Sequence, residues 1–535
     1  MAAVLPTEGT RLSLAGNTGT VRFVGKVDNT SGTWLGVEWD DPKRGKHDGV
    51  KDGKRYFTCR IHNAGSFIRP TTAGICYGIS FLKALNSKYV ELPHGSESQE
   101  KVLLGSSNGA IEVEAVDLDK IRGKFANLGR LREVSLDSEN VSCYDEPPGT
   151  ILTTCPNVRG LDLSTSLIPS WDTVALISAE LPALQRLSLN RNRLQSPRDP
   201  QGMMLAFSSL VELRLNGTLM TWKEMQRVTV AMPVLRIVEM GYNLIEELSS
   251  GDPGPRSTVE TINLDSNDCH DWVHICDSLL PYTSLERIVL TSNKIANIPP
   301  PEISRTLGVK HLSLSFNLLE SWSDIDAISA WCPALNTLTL IGNPLFNDPV
   351  NARNGRQLAI ARIPSLLALD AANISAEERK DSEIFYLSHI AFHGPKSEEE
   401  RILTHPRYPD LCQKHGRPDD RDTQYQDKLS LRLMDLNMYH CVSPPLSNAD
   451  PQTINSLIEN AQHITLRVLP TMTLRAFRLK VCKTMKYSAS RTAISMWLQM
   501  QDSSCVPLDS DRDSQDLAWL GVESGSNIIF TKYDK

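Results

Sequence analysis

The sequence lacks several of the short motifs that usually indicate catalysis. It contains no H-E-x-x-H, no repeated C-x-x-C and no G-x-G-x-x-G after a strand. These absences remove the local signs of zinc hydrolysis, structural zinc and dinucleotide binding. The nearest imitation of a phosphate loop, Gly19 to Val27, has the wrong spacing and places Val27 where Ser or Thr must reach magnesium. We therefore expect a binding protein, with no catalytic residue, metal or cofactor.

Long apolar runs and a secretory signal are also missing. No stretch approaches the roughly 18 apolar residues that span a bilayer, and the N-terminus has no basic region followed by an apolar one. The 11 cysteines are odd in number and scattered, and even the densest group, Cys269 to Cys276, fits reduced thiols better than a metal site. We expect a cytoplasmic protein that does not bind membranes.

Negative charge is scarce in the first 90 residues. They hold 13 Lys and Arg against 7 Asp and Glu, a net charge of +6, although the whole chain carries -7. The acidic total speaks against nucleic acid as a partner, whereas the basic N-terminal segment predicts an acidic ligand for that segment.

What the sequence does contain is a repeat. Nine copies of L-x-x-L-x-L-x-x-N-x-L, with apolar substitutions, begin between Leu131 and Leu335 and are spaced 24 to 27 residues apart. This period is typical of a leucine-rich-repeat solenoid, which presents a long recognition surface. The apolar positions should form successive core layers, and the Asn should be buried and bond backbone groups of neighbouring repeats. Ser166, Thr218 and Glu139 occupy the Asn position in three copies.

Polar strand positions should line the concave face of this solenoid. We take six of them as a possible binding surface: Arg186, Arg214, Glu239, Asp265, Arg287 and His311. The acidic Glu133, Asp137, Asp162 and Glu212 lie in the same rows, so the surface is of mixed sign with acids in the majority. A plain solvated face is an equally good interpretation for any single residue.

The segments divide the chain into a multidomain α+β protein. Glycine and short β runs indicate a small all-β barrel at 8–75, followed by a linker and N-terminal cap at 76–130. The solenoid with its C-terminal cap occupies 131–393, and a polar, partly ordered connector occupies 394–427. The pattern from 428 to 535 (strands, then a helix with apolar residues at 474, 477, 481 and 485, then strands) suggests a β-grasp layout.

The first segment carries the best candidate ligand site. Its glycines, Gly45 and Gly49, allow close backbone approach, and Lys46 and Arg69 bring positive charge. Trp34, Trp39 and Phe67 bring aromatic surface, with His47 and Asp48 completing the motif. The set suits an acidic tail that ends in an aromatic residue. For Trp39 and Tyr56 a purely structural role in the core is the preferred interpretation, and for Lys46 and Phe67 a ligand role is preferred.

The run Gly45-Lys46-His47-Asp48-Gly49 resembles the G-K-N-D-G hallmark of CAP-Gly domains. The resemblance implies binding of the Glu-Glu-Tyr/Phe tails of α-tubulin and of plus-end proteins, with Lys46 meeting the terminal carboxylate. His47 stands where most members have Asn; it can still donate a hydrogen bond, but its charge would change near its unperturbed pKa of about 6.5.

The order of CAP-Gly domain, leucine-rich repeats and ubiquitin-like domain is similar to the family of tubulin-specific chaperone E. This resemblance implies a cytoplasmic, cytoskeletal folding cofactor that binds α-tubulin and helps to assemble the αβ heterodimer. It also implies partners among tubulin cofactors B, C and D, dissociation of the heterodimer with cofactor B, and ubiquitin-system or proteasome components for the last domain. The chain ends without a Gly-Gly tail, so that domain should dock and not be conjugated.

Two other functions remain open from the sequence. A CAP-Gly microtubule-associated adaptor could recruit partners through the repeats, although such adaptors usually carry long coiled coils and no sustained heptads are found here. A ubiquitin-ligase substrate receptor would need an F-box-like segment before the repeats, which 76–130 does not clearly supply.

Overall fold

The computed structural model describes residues 5–90, 102–104, 111–113, 127–200, 202–248, 258–302, 305–418, 433–445, 451–459, 461–487, 492–500 and 504–534. The chain divides into two compact units, Met1–Glu383 and Ile384–Lys535. Much of the predicted linker and cap (91–101, 105–110 and 114–126) and the first residues of the predicted β-grasp segment (428–432) lie outside the described residues.

The N-terminal domain is a five-stranded antiparallel sheet. Its strands, in the order in which they lie side by side, are Gly65–Ile68, Thr33–Trp39, Asn17–Lys26, Arg11–Leu14 and Ile75–Cys76. A short 3-10 helix, Pro42–Arg44, and a hairpin of Val50–Lys51 with Lys54–Arg55 connect the longer strands. The expected all-β segment is thus confirmed as a small β-sheet domain.

The nine predicted repeats form nine parallel strands of three residues, each paired with the next. They are Glu133–Ser135, Gly160–Asp162, Arg186–Ser188, Glu212–Arg214, Ile237–Glu239, Thr261–Asn263, Arg287–Val289, His311–Ser313 and Thr337–Thr339. The middle residue of each strand is buried in one continuous core, because the alternation of a strand sends its neighbours to the opposite face. Ala368–Leu369 and Ala372–Asn373 extend the sheet at its C-terminal end.

A ladder of buried asparagines joins the repeats, as the sequence predicts. Asn243 donates to the carbonyls of Leu215 and Met240 (both 2.9 Å) and accepts from the amide of Leu219 (2.7 Å). The same arrangement recurs, with small variations, at Asn192, Asn267, Asn293, Asn317 and Asn343. Each Asn side chain links its own turn to the preceding repeat. The regular spacing of these residues therefore fixes how successive repeats stack.

Four helices on the side opposite the sheet begin at a tryptophan. They are Trp171–Ala179, Trp222–Thr229, Trp272–Leu279 and Trp322–Trp331. Ser, Thr or Asp precedes each Trp and caps the first turn with its side chain. Trp171, Trp222 and Trp272 are at most 2% exposed and pack in the solenoid core.

Both ends of the solenoid are covered. At the N-terminal end, strand Ile79–Ser80 pairs with Val141–Cys143, and helix Phe81–Tyr89 buries Phe81 and Leu85 in the solenoid core. Further short elements are the 3-10 helices Leu128–Arg130 and Pro344–Phe346, the helix Thr150–Thr154 and the hairpin Val102–Leu104 with Ile111–Val113. At the other end lie helices Pro349–Arg362 and Ala376–His393.

The described part of the predicted connector, residues 394–418, is more ordered than the sequence suggests. Residues Glu398–Thr404 and Tyr408–His415 form helices, and the second helix buries Tyr408 and Leu411. The polar composition hid these two buried side chains, because they stand among charged neighbours without a long apolar period.

The C-terminal domain is a mixed five-stranded sheet. Its strands lie in the order Gln462–Val468, Met434–His440, Asn527–Asp534, Thr492–Gln499 and Cys505–Pro507, and only the Met434–His440 and Asn527–Asp534 pair is parallel. Helix Leu474–Thr484 packs on one face, and a 3-10 helix spans Ser510–Arg512. The first described strand of this domain begins at Met434.

A second helix, Pro451–Glu459, lies between the first two strands along the chain, and its Ile454 packs with Ile529 and Tyr439. The neighbouring Ile528 and Phe530 belong to the cluster under helix Leu474–Thr484, so the two helices cover opposite faces of the sheet. Within the described part of the chain, no helix is long and apolar enough to cross a membrane.

Candidate functional site

The G-K-H-D-G motif follows the 3-10 helix and runs beside the strand that begins at Gly65. The amides of Lys46 (2.8 Å) and His47 (3.2 Å) both donate to the carbonyl of Gly65, and the amide of Gly65 donates to the carbonyl of His47 (2.8 Å). These three backbone amides are therefore engaged within the domain.

The two glycines are needed for packing within the protein. A Cβ on Gly45 would lie 2.0 Å from the carbonyl oxygen of Asn63, and one on Gly49 would lie 2.0 Å from that of Phe57. Gly49 also has φ +74°, a left-handed conformation that costs an L-residue free energy. The glycines thus allow two backbone segments to approach each other, where the sequence suggested approach by a ligand.

His47 is held in a defined tautomer. Its Nδ1 accepts a hydrogen bond from the amide of Gly49 (3.0 Å), and its ring lies 5.0 Å from the Phe67 ring. Burial lowers the pKa of His47 below 6.5; Asp48 opposes the shift and Lys46 adds to it. A neutral ring whose Nδ1 accepts must carry its proton on Nε2, which provides the donor that an Asn amide would provide.

Asp48 connects the motif to the loop that follows it. One carboxylate oxygen accepts from the amide of Cys59 (3.1 Å), and the other accepts from Arg55 (2.8 Å). These hydrogen bonds from Arg55 and Cys59 hold the pKa of Asp48 below its usual range. Both oxygens therefore have partners, which makes Asp48 a structural member of the motif.

An aromatic cluster lies beside the motif and centres on Phe67. The Phe67 ring lies 5.4 Å from Phe57, 5.6 Å from Tyr56 and 6.3 Å from Phe23 in edge-on geometry. Phe57 is buried, whereas Phe23, Tyr56 and Phe67 are partly exposed. This half-open aromatic surface suits the ring of a ligand.

The other predicted aromatic residues are placed differently. Trp39 is 2% exposed and packs in the sheet core, as the preferred interpretation had it. Trp34 is partly exposed, but the Arg69 guanidinium stacks on it at 3.7 Å and donates to the carbonyls of Ser31 (2.5 Å) and Thr33 (3.2 Å). Arg69 thus braces a turn of its own domain.

Lys46 differs from these residues because its side chain has no partner among the described residues. It is exposed and lies next to His47, whose ring faces Phe67. An unpaired ammonium beside a half-open aromatic surface is equipped for a carboxylate and a ring on the same ligand.

Ion pairs within the protein neutralise two of the predicted concave arginines. Arg186 pairs with Glu133, and Arg214 pairs with Glu212 (2.5 Å) and Glu239 (3.5 Å). Gly160 lies between Arg186 and Glu133, since a Cβ there would be 1.9 Å from a Glu133 carboxylate oxygen. Sequence reasoning missed this glycine, although its place in a row of polar residues was a visible signal.

Three of the predicted concave residues have other surroundings. The pKa of Asp265 is raised by burial and by the charge of Glu239, and His311 Nδ1 lies 2.7 Å from the Thr337 hydroxyl. Arg287 is exposed and forms no ion pair within the described part of the chain. A cavity of about 420 Å³ lies at the edge of this face and is lined by polar groups together with the ring of Tyr242, which is 60% exposed.

Comparison with known proteins gives a consistent result. The family model "CAP-Gly domain" matches residues 8–73. The chain is 34% identical to human tubulin-specific chaperone E over 546 residues, covering 97% of this chain and 98% of the relative. It is 31% identical to the Bos taurus protein of that name, with coverage of 97% and 98%, and 28% identical to Arabidopsis thaliana tubulin-folding cofactor E, with coverage of 96% and 94%.

Proposed function

The chain belongs to the tubulin-specific chaperone E family, and we propose that it is a tubulin-folding cofactor that holds α-tubulin at two places. The N-terminal domain binds the acidic C-terminal tail, and the concave face of the solenoid binds the body of the subunit. Together these contacts promote assembly of the αβ heterodimer and, with cofactor B, its dissociation. The work requires binding energy and no covalent chemistry.

The observation that carries the tail assignment is the exposed side chain of Lys46, which has no partner among the described residues, beside the half-open aromatic cluster. The ammonium meets the terminal carboxylate, and the terminal Tyr or Phe ring packs against Phe67, with the Nε2–H of His47 as a further donor. Trp34 and Arg69 border this region and keep its turn in place. The two-site arrangement raises the effective concentration of the second contact once the first has formed.

Lys46→Ala tests the assignment, and Lys43→Ala is its matched control. Both lysines are exposed and three residues apart, so only the position of the charge differs. A hydrogen bond to a charged group contributes about 1.5–3 kcal/mol, so Lys46→Ala should weaken binding of a tail peptide by roughly 10- to 150-fold. Fluorescence anisotropy with a peptide ending in Glu-Glu-Tyr measures the change. Equal affinities for the two variants would refute the assignment.

The folding role is tested with purified heterodimer. Mixing the chain with tubulin and cofactor B should lower the amount of intact heterodimer seen by sedimentation, with no nucleotide hydrolysis by this chain. Unchanged heterodimer would contradict the proposal. A microtubule-tip adaptor would instead co-sediment with polymer and leave free heterodimer intact, so the same experiment separates the two functions.

For the C-terminal domain we propose a ubiquitin-like docking module. The support is the strand order: the first strand lies between the second and the last, parallel to the last, and a helix follows the second strand. Its partners would be ubiquitin-system or proteasome components, and cofactors C and D would complete the tubulin assembly. The site of action is the cytoplasm, in contact with the cytoskeleton.

A further inference from the structure

The N-terminal domain and the solenoid meet at a buried charge cluster around Asp40. Arg11, whose side chain is fully buried, donates to both carboxylate oxygens of Asp40, with one distance of 2.7 Å. Thr18 also donates to Asp40 (2.7 Å), and Arg193 of the solenoid lies 3.9 Å away. Burial alone would raise the pKa of Asp40, but the two arginines and these hydrogen bonds hold it below its usual range. The carboxylate therefore stays charged at the boundary.

Arg193 is itself fixed to two successive repeats. Its side chain is only 12% exposed, and it donates to the carbonyls of Asn192 (3.2 Å) and Gly217 (2.6 Å). An arginine with this many partners has little rotational freedom, so its ion pair with Asp40 fixes the position of the N-terminal domain against the third and fourth repeats.

A second contact lies at Arg60. Its guanidinium donates to the carbonyl of Leu219 (3.4 Å) and lies 3.8 Å from Glu224 at the start of a solenoid helix. The backbone amide of Arg60 donates to Glu38 (2.5 Å), which anchors the loop in the N-terminal domain. Two separated contacts oppose rotation of one domain on the other, which a single contact does not.

The loop that carries Arg60 also supports the candidate tail site. Cys59 donates to Asp48 of the motif, and Asn63 lies against Gly45. The same segment of backbone therefore touches the solenoid on one side and the ligand motif on the other. The orientation of the motif follows the orientation of the loop.

From these contacts we infer that the tail-binding motif is held in one orientation relative to the concave face, with Arg193 and Arg60 as positioning residues. The two binding surfaces act as a single rigid receptor, which takes the tail and the body of one subunit together. The inference rests on the proposed function, because it assigns these surfaces to the same partner. Two modules on a flexible tether would not require Arg193 or Arg60.

The test reverses both charges in the full chain, with Arg193→Glu and Arg60→Glu together. Arg60→Glu alone is a milder second variant, since its site is partly exposed. The pair Arg193→Lys and Arg60→Lys keeps the charges, and Arg227→Glu changes an exposed charge on the same helix as Glu224. Each chain is titrated with the tail peptide, with intact tubulin and with tubulin that lacks the α-tail.

We expect all variants to bind the peptide within about twofold of the wild type, because no substituted residue lies in the motif. The preference of the wild type for intact over tail-less tubulin should fall about tenfold in the double Glu variant. It should fall partly in Arg60→Glu and persist in the Lys pair and in Arg227→Glu. A full preference in both Glu variants would overturn the inference. Failure of the wild type to bind the peptide would instead overturn the proposed function, and the inference with it.

Discussion

Asn267→Ala probes the buried ladder that holds the repeats together. The side chain is 4% exposed, and its Oδ1 accepts from the amides of Asn243 (3.0 Å) and Ile245 (3.1 Å). Its Nδ2 donates to the carbonyls of Met240 (2.9 Å) and Leu264 (3.0 Å). The substitution therefore removes a group that serves two repeats at once.

The loss of stability depends on which hydrogen-bond partners of Asn267 also bond to another group. The carbonyl of Met240 also accepts from Asn243 (2.9 Å), and that of Leu264 also accepts from Asn293 (2.9 Å). The amides of Asn243 and Ile245 have no other acceptor among the described residues. Each unsatisfied buried donor costs about 1–3 kcal/mol, so the free energy of unfolding of this region should fall by about 4 kcal/mol.

Native-state amide hydrogen exchange measures this loss locally. Peptides covering residues 240–248 should exchange up to about a thousandfold faster, since each 1.4 kcal/mol is a factor of ten. Asn297→Ala is the matched control, because that side chain is exposed and has no side-chain hydrogen bond among the described residues. A difference below about 1 kcal/mol between the two variants would show that the ladder does not hold the repeats together.

Two further predictions concern titratable groups. The pKa of His47 in the folded state lies below 6.5, so the unfolded chain binds a proton first as the pH falls. The free energy of unfolding is therefore unaffected by His47 above about pH 6.5 and decreases below it. His47→Asn should reduce the loss in thermal midpoint between pH 7.5 and pH 5.5, and an unchanged loss would contradict this account. Burial raises the pKa of four thiols to about 12: Cys59, Cys155, Cys269 and Cys332. Iodoacetamide at pH 8 should therefore label the exposed Cys143 well before these four, and mass spectrometry can follow the labelling. Labelling of any of the four at the rate of Cys143 would refute the prediction.

The sequence determined those features that depend on short spacings along the chain. A period of 24 to 27 residues predicts the nine strands and the Asn ladder, because each repeat meets the same neighbours as the one before it. The Ser, Thr or Asp before each Trp caps the start of four helices, and capping depends only on residues within one turn. The G-K-H-D-G motif likewise singled out Lys46, although its ligand role remains a prediction.

The tertiary structure decided which side chains are free. Lys46 and Arg69 are both cations of the first segment, yet Arg69 braces a turn against Trp34 and Lys46 has no partner among the described residues. Arg186 and Arg287 occupy the same row of the concave face, yet only Arg186 meets an acid across a glycine. The contact of Asp40 with Arg193 joins residues 153 positions apart. No local pattern encodes such pairings, because burial and ion pairing depend on which distant segments folding brings together.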